Sequence, residues 1–169
     1  MARRIPDLIV EDATIRFRNF SGNEGRFNRK GDRNFAIFLD PDKATDLTAD
    51  GWNVKTLKPR EDADPDQQPQ DYMQISVNYS SGRPPKIVLI THAGRTQLDE
   101  DSVNILDFAD IEKVDLIVNP YEWEVQDKRG VKAYLKSMFV TLHEDELDLK
   151  YADVPDSGQN TIGLGTENG

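Results

Sequence analysis

Ala13-Thr14-Ile15-Arg16-Phe17-Arg18 alternates apolar and polar side chains with a period of two. Ala13, Ile15 and Phe17 then share the inner face of a half-buried strand, and Thr14, Arg16 and Arg18 the outer one. Working outward, Asn34 to Leu39 with FAIFL inside it reads as a second strand. Asp40 offers an N-cap, Pro41 the first helical position, Ala44 and Leu47 one apolar face and Gly51 a stop, which predicts a short helix over 41–50. Further strands are expected at 52–57, 73–79, 87–91, 114–118, 121–125 and 131–142. Asp127-Lys128-Arg129-Gly130 is expected to turn between the last two, with Gly130 supplying a positive φ. Residues 99–111 read as a helical turn that points Val103, Leu106 and Phe108 inward. Tyr121 and Trp123 share a face with Val125, so both are expected in the core, while Trp52 is left undecided.

Many short strands joined by turns, with one or two short helices, predict a mainly β chain folded as an OB-like barrel. A length of 169 residues fits one domain, and 37% apolar residues are enough for a core. The domain is expected over 1–145, followed by an acidic, flexible tail over 146–169. No period of 20–50 residues repeats.

The formal net charge of −10 argues at first against a nucleic-acid partner, but the charge is unevenly placed. Residues 1–35 hold eight basic side chains against five acidic ones. Residues 59–71, PREDADPDQQPQD, carry five acids, one Arg and three prolines, which reads as a mobile acidic loop. Residues 142–169 hold seven acids against Lys150 alone and run into Pro155 and several glycines. Loop and tail carry the whole net charge, so the remainder is neutral and its start is positive.

That start is the most informative stretch. Arg16, Arg18, Arg26, Arg29, Lys30 and Arg33 interleave with Phe17, Phe20, Phe27 and Phe35 within twenty residues. Single-stranded nucleic acid needs this pairing, cations for phosphates and flat rings for unpaired bases, each stack contributing ~1–3 kcal/mol. Parity assigns Phe17 and Phe35 to the core, leaves Phe20 for the interface and weighs Phe27 evenly between contact and inert loop. A second candidate surface is the outer face of Lys132-Ala133-Tyr134-Leu135-Lys136, where Tyr134 stands between Lys132 and Lys136. The same pattern is what an ordinary solvated strand shows.

Catalytic chemistry finds little support. There is no cysteine, His92 and His143 lie in no metal-ligand motif, and the acidic clusters have no diagnostic spacing, so neither metal nor cofactor is expected. No stretch has the ~18 apolar residues of a membrane span. Met1-Ala-Arg-Arg runs into Pro6 and Asp7 in place of an apolar leader.

FRNFSGNEGRFNRKGDRNFAIFLD at the front, GWNVK at 51–55, ITHAGRTQLDEDSVNILDFADIEKVDLIVNPYEWEV at 90–125 and GVKAYLKSMFVTL at 130–142 resemble phage-encoded single-stranded-DNA-binding proteins of the OB-fold type, in order and spacing, across about residues 10–145. The resemblance implies a protein that coats and protects single strands during phage replication and recombination without strong sequence preference, in the cytoplasm of the infected bacterium. It implies replication or recombination partners recruited through the acidic tail, and a homo-oligomer is compatible with it. The chain departs from acidic-tailed relatives in ending Thr-Glu-Asn-Gly, without an aromatic tip. The alternative is a phage structural or assembly protein whose β domain self-associates.

Overall fold

The computed structural model describes residues 5–26, 28–151 and 154. Among the described residues are nine strands and two α-helices: β1 (Leu8–Val10), β2 (Ile15–Asn19), β3 (Arg33–Leu39), α1 (Pro41–Ala49), β4 (Val54–Leu57), β5 (Gln70–Val77), β6 (Lys86–Thr91), β7 (Gly94–Leu98), β8 (Ile111–Val125), β9 (Lys128–Leu142) and α2 (Glu146–Lys150). A 3-10 turn spans Val103–Asp107.

The strands form one mainly antiparallel sheet in the order β1-β8-β9-β5-β3-β2, with β4 added to β5, β6 added to β9 and β7 added to β6. The sheet is not closed by a full ladder. Its two ends, β1 and β2, are consecutive in the chain, however, and the kink between them brings the Ala13 N–H to the Val114 carbonyl at 2.7 Å. The long strand β9 makes the curl possible, pairing β8 along its length, β5 in parallel at Ser76↔Tyr134 and β6 in parallel from Lys86↔Ser137 onward. Inside lie Ile15, Phe35, Ile37, Met73, Ile75, Leu116, Val118, Leu135, Met138 and Val140. The expectation of a mainly β, OB-like chain holds, in an open rather than closed form.

One irregularity governs which side chains face out. Arg16 pairs Ala36 and Asn19 pairs Asn34, so three steps on β2 span two on β3 and one residue is extra. Phe17 absorbs it with φ +54. A one-residue slip exchanges the faces of everything beyond it. Phe17, expected inside, is therefore 58% exposed, and Phe20, expected at the interface, is fully buried against Phe35 with centroids 5.1 Å apart.

The end of the sheet holds further corrections. β8 runs unbroken through Pro120, which falls beyond the last β1 pair at Leu8↔Val118, where β8 has become an edge and tolerates proline. The β8–β9 turn is the two-residue Gln126-Asp127 with Gln126 at φ +55, so Gly130 lies in β9 and not in the turn. Tyr121, Trp123 and Val125, expected in the core, are exposed because β8 and β9 continue past the body as a two-stranded hairpin. Trp52 is buried. Of the 3-10 turn, Val103 and Leu106 point inward as expected, but Phe108 is 89% exposed. Residues 59–69 form a loop with turns closed by Ala63 N–H to Arg60 O and Gln67 N–H to Asp64 O. The segment expected as a tail begins with the helix α2, and its stretch from 155 on lies outside the described residues.

Candidate nucleic-acid interface

Cross-strand register places one set of side chains on the outer face of the curl. Ala36↔Gln74, Phe38↔Tyr72 and Asn34↔Ser76 pair there between β3 and β5, and Lys55 of β4 pairs Tyr72. On the hairpin, Asn119↔Tyr134, Tyr121↔Lys132 and Trp123↔Gly130 share the corresponding face. The bridge between Ser76 and Tyr134 joins the two groups.

Two adjoining grooves follow this face. One, of about 620 Å³, is lined by Phe17, Asn19, Asn28, Asn34, Phe35, Ala36, Lys55, Tyr72 and Gln74. The other, of about 260 Å³, is lined by Asn53, Lys55, Met73, Gln74, Ser76, Trp123, Val131, Lys132 and Ala133. Lys55 and Gln74 belong to both, so the path is continuous. In a chain with 31 acidic residues, no Asp or Glu is among the described residues that line it.

Aromatic rings stand at both ends of the path. Phe17 meets Tyr72 edge-on at 5.9 Å, and Tyr121 meets Tyr134 at 6.0 Å and 89°. The Lys132 ammonium lies 5.1 Å from the Tyr134 ring centre, which fixes the cation beside the ring. The indole of Trp123, 38% exposed, rests on Gly130.

The predicted cations divide into two groups. Arg26, Arg29 and Lys30 are exposed on the β2–β3 loop, whose base reaches the groove through Asn28. Asn28 braces that loop: its Nδ2 donates to Asn23 O and Asp32 O, and its Oδ1 accepts from Asn34 Nδ2 at 2.6 Å. Gly22, at φ +73, accepts the Gly31 N–H at 2.7 Å, an approach that a Cβ on Gly22 would crowd. Arg16 is exposed above the Phe38 ring at 5.3 Å. Lys132 lines the path, and Tyr134 adjoins it on the same face. Phe27 lies outside the described residues.

Arg18, Arg33 and Lys136 are engaged elsewhere. Arg18 donates to the carbonyls of Leu106 and Ala109, pinning the 3-10 turn to β2. Arg33 donates to Phe20 O at 2.9 Å, packs 5.3 Å from the Tyr79 ring centre and reaches Glu100. The Tyr79 hydroxyl is buried without a described partner, and burial pushes its pKa up to about 12 against the opposing pull of Arg33. Lys136 is the extra residue of a second bulge, where Ile117↔Ser137 is followed by Val118↔Leu135, and it bridges to Asp7 at 2.8 Å. Arg18 and Arg33 tie elements of the fold together, Lys136 makes an exposed ion pair, and Phe20 is core.

Phe17, Tyr72, Lys55, Tyr121 and Trp123 line or border the path although sequence reasoning did not select them as interface residues. Tyr121 and Trp123 left a signal in the acids of Tyr121-Glu122-Trp123-Glu124, a poor pattern for a strand buried on both faces.

A curled, mainly antiparallel sheet crossed by a cationic and aromatic groove that no described acid lines defines an OB-fold protein of the single-strand-binding class. Within that class the assignment is specific: the chain belongs to the phage ssDNA-binding domain family, whose model matches residues 1–168. Its fold is similar to that of the single-stranded DNA-binding protein from bacteriophage Enc34 in complex with ssDNA, at a TM-score of 0.52 and 8% identity over 82% of this chain and 88% of that one. A C-terminally truncated form of the Enc34 protein aligns at a TM-score of 0.50 and 9% identity, covering 82% of this chain and 87% of that one. No curated protein sequence matches.

Proposed function

We propose that this chain binds single-stranded DNA along the outer groove, with Lys55, Lys132 and Arg16 neutralising phosphates and Tyr121, Trp123 and Tyr134 offering faces to unpaired bases. Arg26, Arg29 and Lys30 add charge from the β2–β3 loop. The observation that carries this reading is the composition of the groove: two lysines, aromatic rings at both ends and no described acid, in a chain of net charge −10. Ring stacking and phosphate pairing are tolerant of sequence, so strands of any composition are bound. The protein would coat and protect strands exposed during phage replication and recombination, in the cytoplasm of the infected host, and has no catalytic step of its own.

Replacing Lys55 and Lys132 together by Glu tests the path. Binding of fluorescein-labelled oligo-dT should fall at least ~30-fold, since each ion pair to phosphate and its reversal contributes on the order of 1 kcal/mol or more. Replacing Asp62, Asp64 and Asp66 by Ala should leave affinity within about twofold. Equal effects would remove the groove from the reading.

The acids from Glu144 onward can compete with DNA for the same cations. The exposed Leu147, Leu149, Tyr151 and Val154 set among them offer a surface to replication or recombination proteins, or to a second copy. Deleting 146–169 should tighten oligo-dT binding at low salt and leave it unchanged at high salt, where charges are screened. Unchanged affinity at low salt would reject competition.

A further inference from the structure

Phe17 combines two features that a structural residue avoids. Its ring is 58% exposed although it sits inside a strand, and its backbone is in the left-handed region at φ +54. Among the described residues, the other two non-glycine residues at positive φ, Asp12 and Gln126, occupy a bend and a hairpin turn, where such angles are ordinary. An aromatic residue there is disfavoured by its Cβ, and such strain persists where the surroundings enforce it, commonly at functional sites. Here the enforcement comes from both sides of the bulge: Ile15 pairs Ile37 inside, and Phe20 is locked against Phe35 beyond it. The outward ring meets Tyr72 in a T-shaped contact at 5.9 Å, remains 58% exposed and lines the 620 Å³ groove.

Resting on the groove reading above, we propose that Phe17 is a base-stacking residue for single-stranded nucleic acid, held out by the bulge at the cost of backbone strain. It forms the platform at the β2 end of the path, opposite Tyr121 and Trp123 at the hairpin end. Stability and binding then separate at this position. Asn tolerates the left-handed region and removes the ring, so Phe17→Asn should melt within about 2 °C of the wild type or above it. The same variant should bind oligo-dT roughly tenfold or more weakly, while Phe17→Trp retains affinity.

Three results would overturn the assignment: Phe17→Asn binding as tightly as wild type, Phe17→Trp losing as much as Phe17→Asn, or Phe17→Asn melting about 10 °C lower, as expected for the core truncation Phe20→Ala. A wild-type protein that does not bind oligo-dT would instead overturn the groove reading, and this assignment with it.

Discussion

Gly130 is needed where it stands because Trp123 lies on it: a Cβ there would come within 2.8 Å of the indole Cζ2. Gly130→Ala should displace the indole from the face it shares with Tyr121, shift the Trp emission and weaken oligo-dT binding several-fold, while melting changes little because this face of the hairpin, opposite Val131 and Ala133, lies outside the core. An unchanged emission spectrum would show that the indole does not rest there in solution. At this scale legibility was mixed, and the reason is local. Alternation identified Ile15, Phe35, Ala133 and Leu135 as inward, because nothing interrupts the pleat at those positions. It inverted Phe17 and Phe20, because one extra residue in β2 leaves no hydrophobic signature of its own and yet reverses every face beyond it. The exposed Tyr121 and Trp123 were misplaced for another reason: periodicity shows which residues share a face but not whether that face is covered.

Helix α1 was legible because its determinants are local. Asp40 Oδ1 accepts the Lys43 N–H at 2.8 Å, Pro41 opens the helix, Ala44 and Leu47 are buried, and Gly51 leaves it at φ +98. β7 was not foreseen, since Gly94–Leu98 is an exposed polar edge with only Leu98 buried, and edge strands carry little hydrophobic pattern. β1 is three residues long and depends on pairing with β8, more than a hundred residues away. The junction of β9 with the acidic segment has its own device. Glu144 Oε1 accepts the His92 N–H at 2.7 Å and its other oxygen meets His92 Nδ1, tying the segment's start to the β6–β7 turn. The backbone hydrogen bond from His92 first, and its side chain second, hold the Glu144 carboxyl below its ordinary value of 4.5. The folded state therefore binds this proton less tightly than the unfolded chain. The stabilisation is present above the ordinary value and is lost as pH falls through the depressed one. Glu144→Gln should accordingly flatten the pH dependence of unfolding stability in the acid range, measured by urea denaturation from pH 6 downward. An identical profile for both proteins would show the tie to be absent in solution.

Across the whole molecule, the overall charge and the local charge point in opposite directions, and the local charge decides the partner. The net negative charge sits in residues 59–71, a loop that runs into β5, and after β9, and the sheet leaves a continuous groove that no described acid lines. The segregation of charge was visible in the sequence; the groove was not, because Lys55, Tyr72 and Lys132 come from strands that only the topology brings side by side. If the proposed path draws on Arg16, Lys55, Lys132 and the β2–β3 loop, about four phosphates are engaged, and each contact to a single strand contributes roughly −0.7 to the salt slope. The most direct test is a titration of the intact protein with oligo-dT at several salt concentrations, following Trp and Tyr fluorescence. The expected result is saturable binding whose log affinity falls against log salt with a slope near −3. Absence of binding at low salt, or an affinity indifferent to salt, would contradict it.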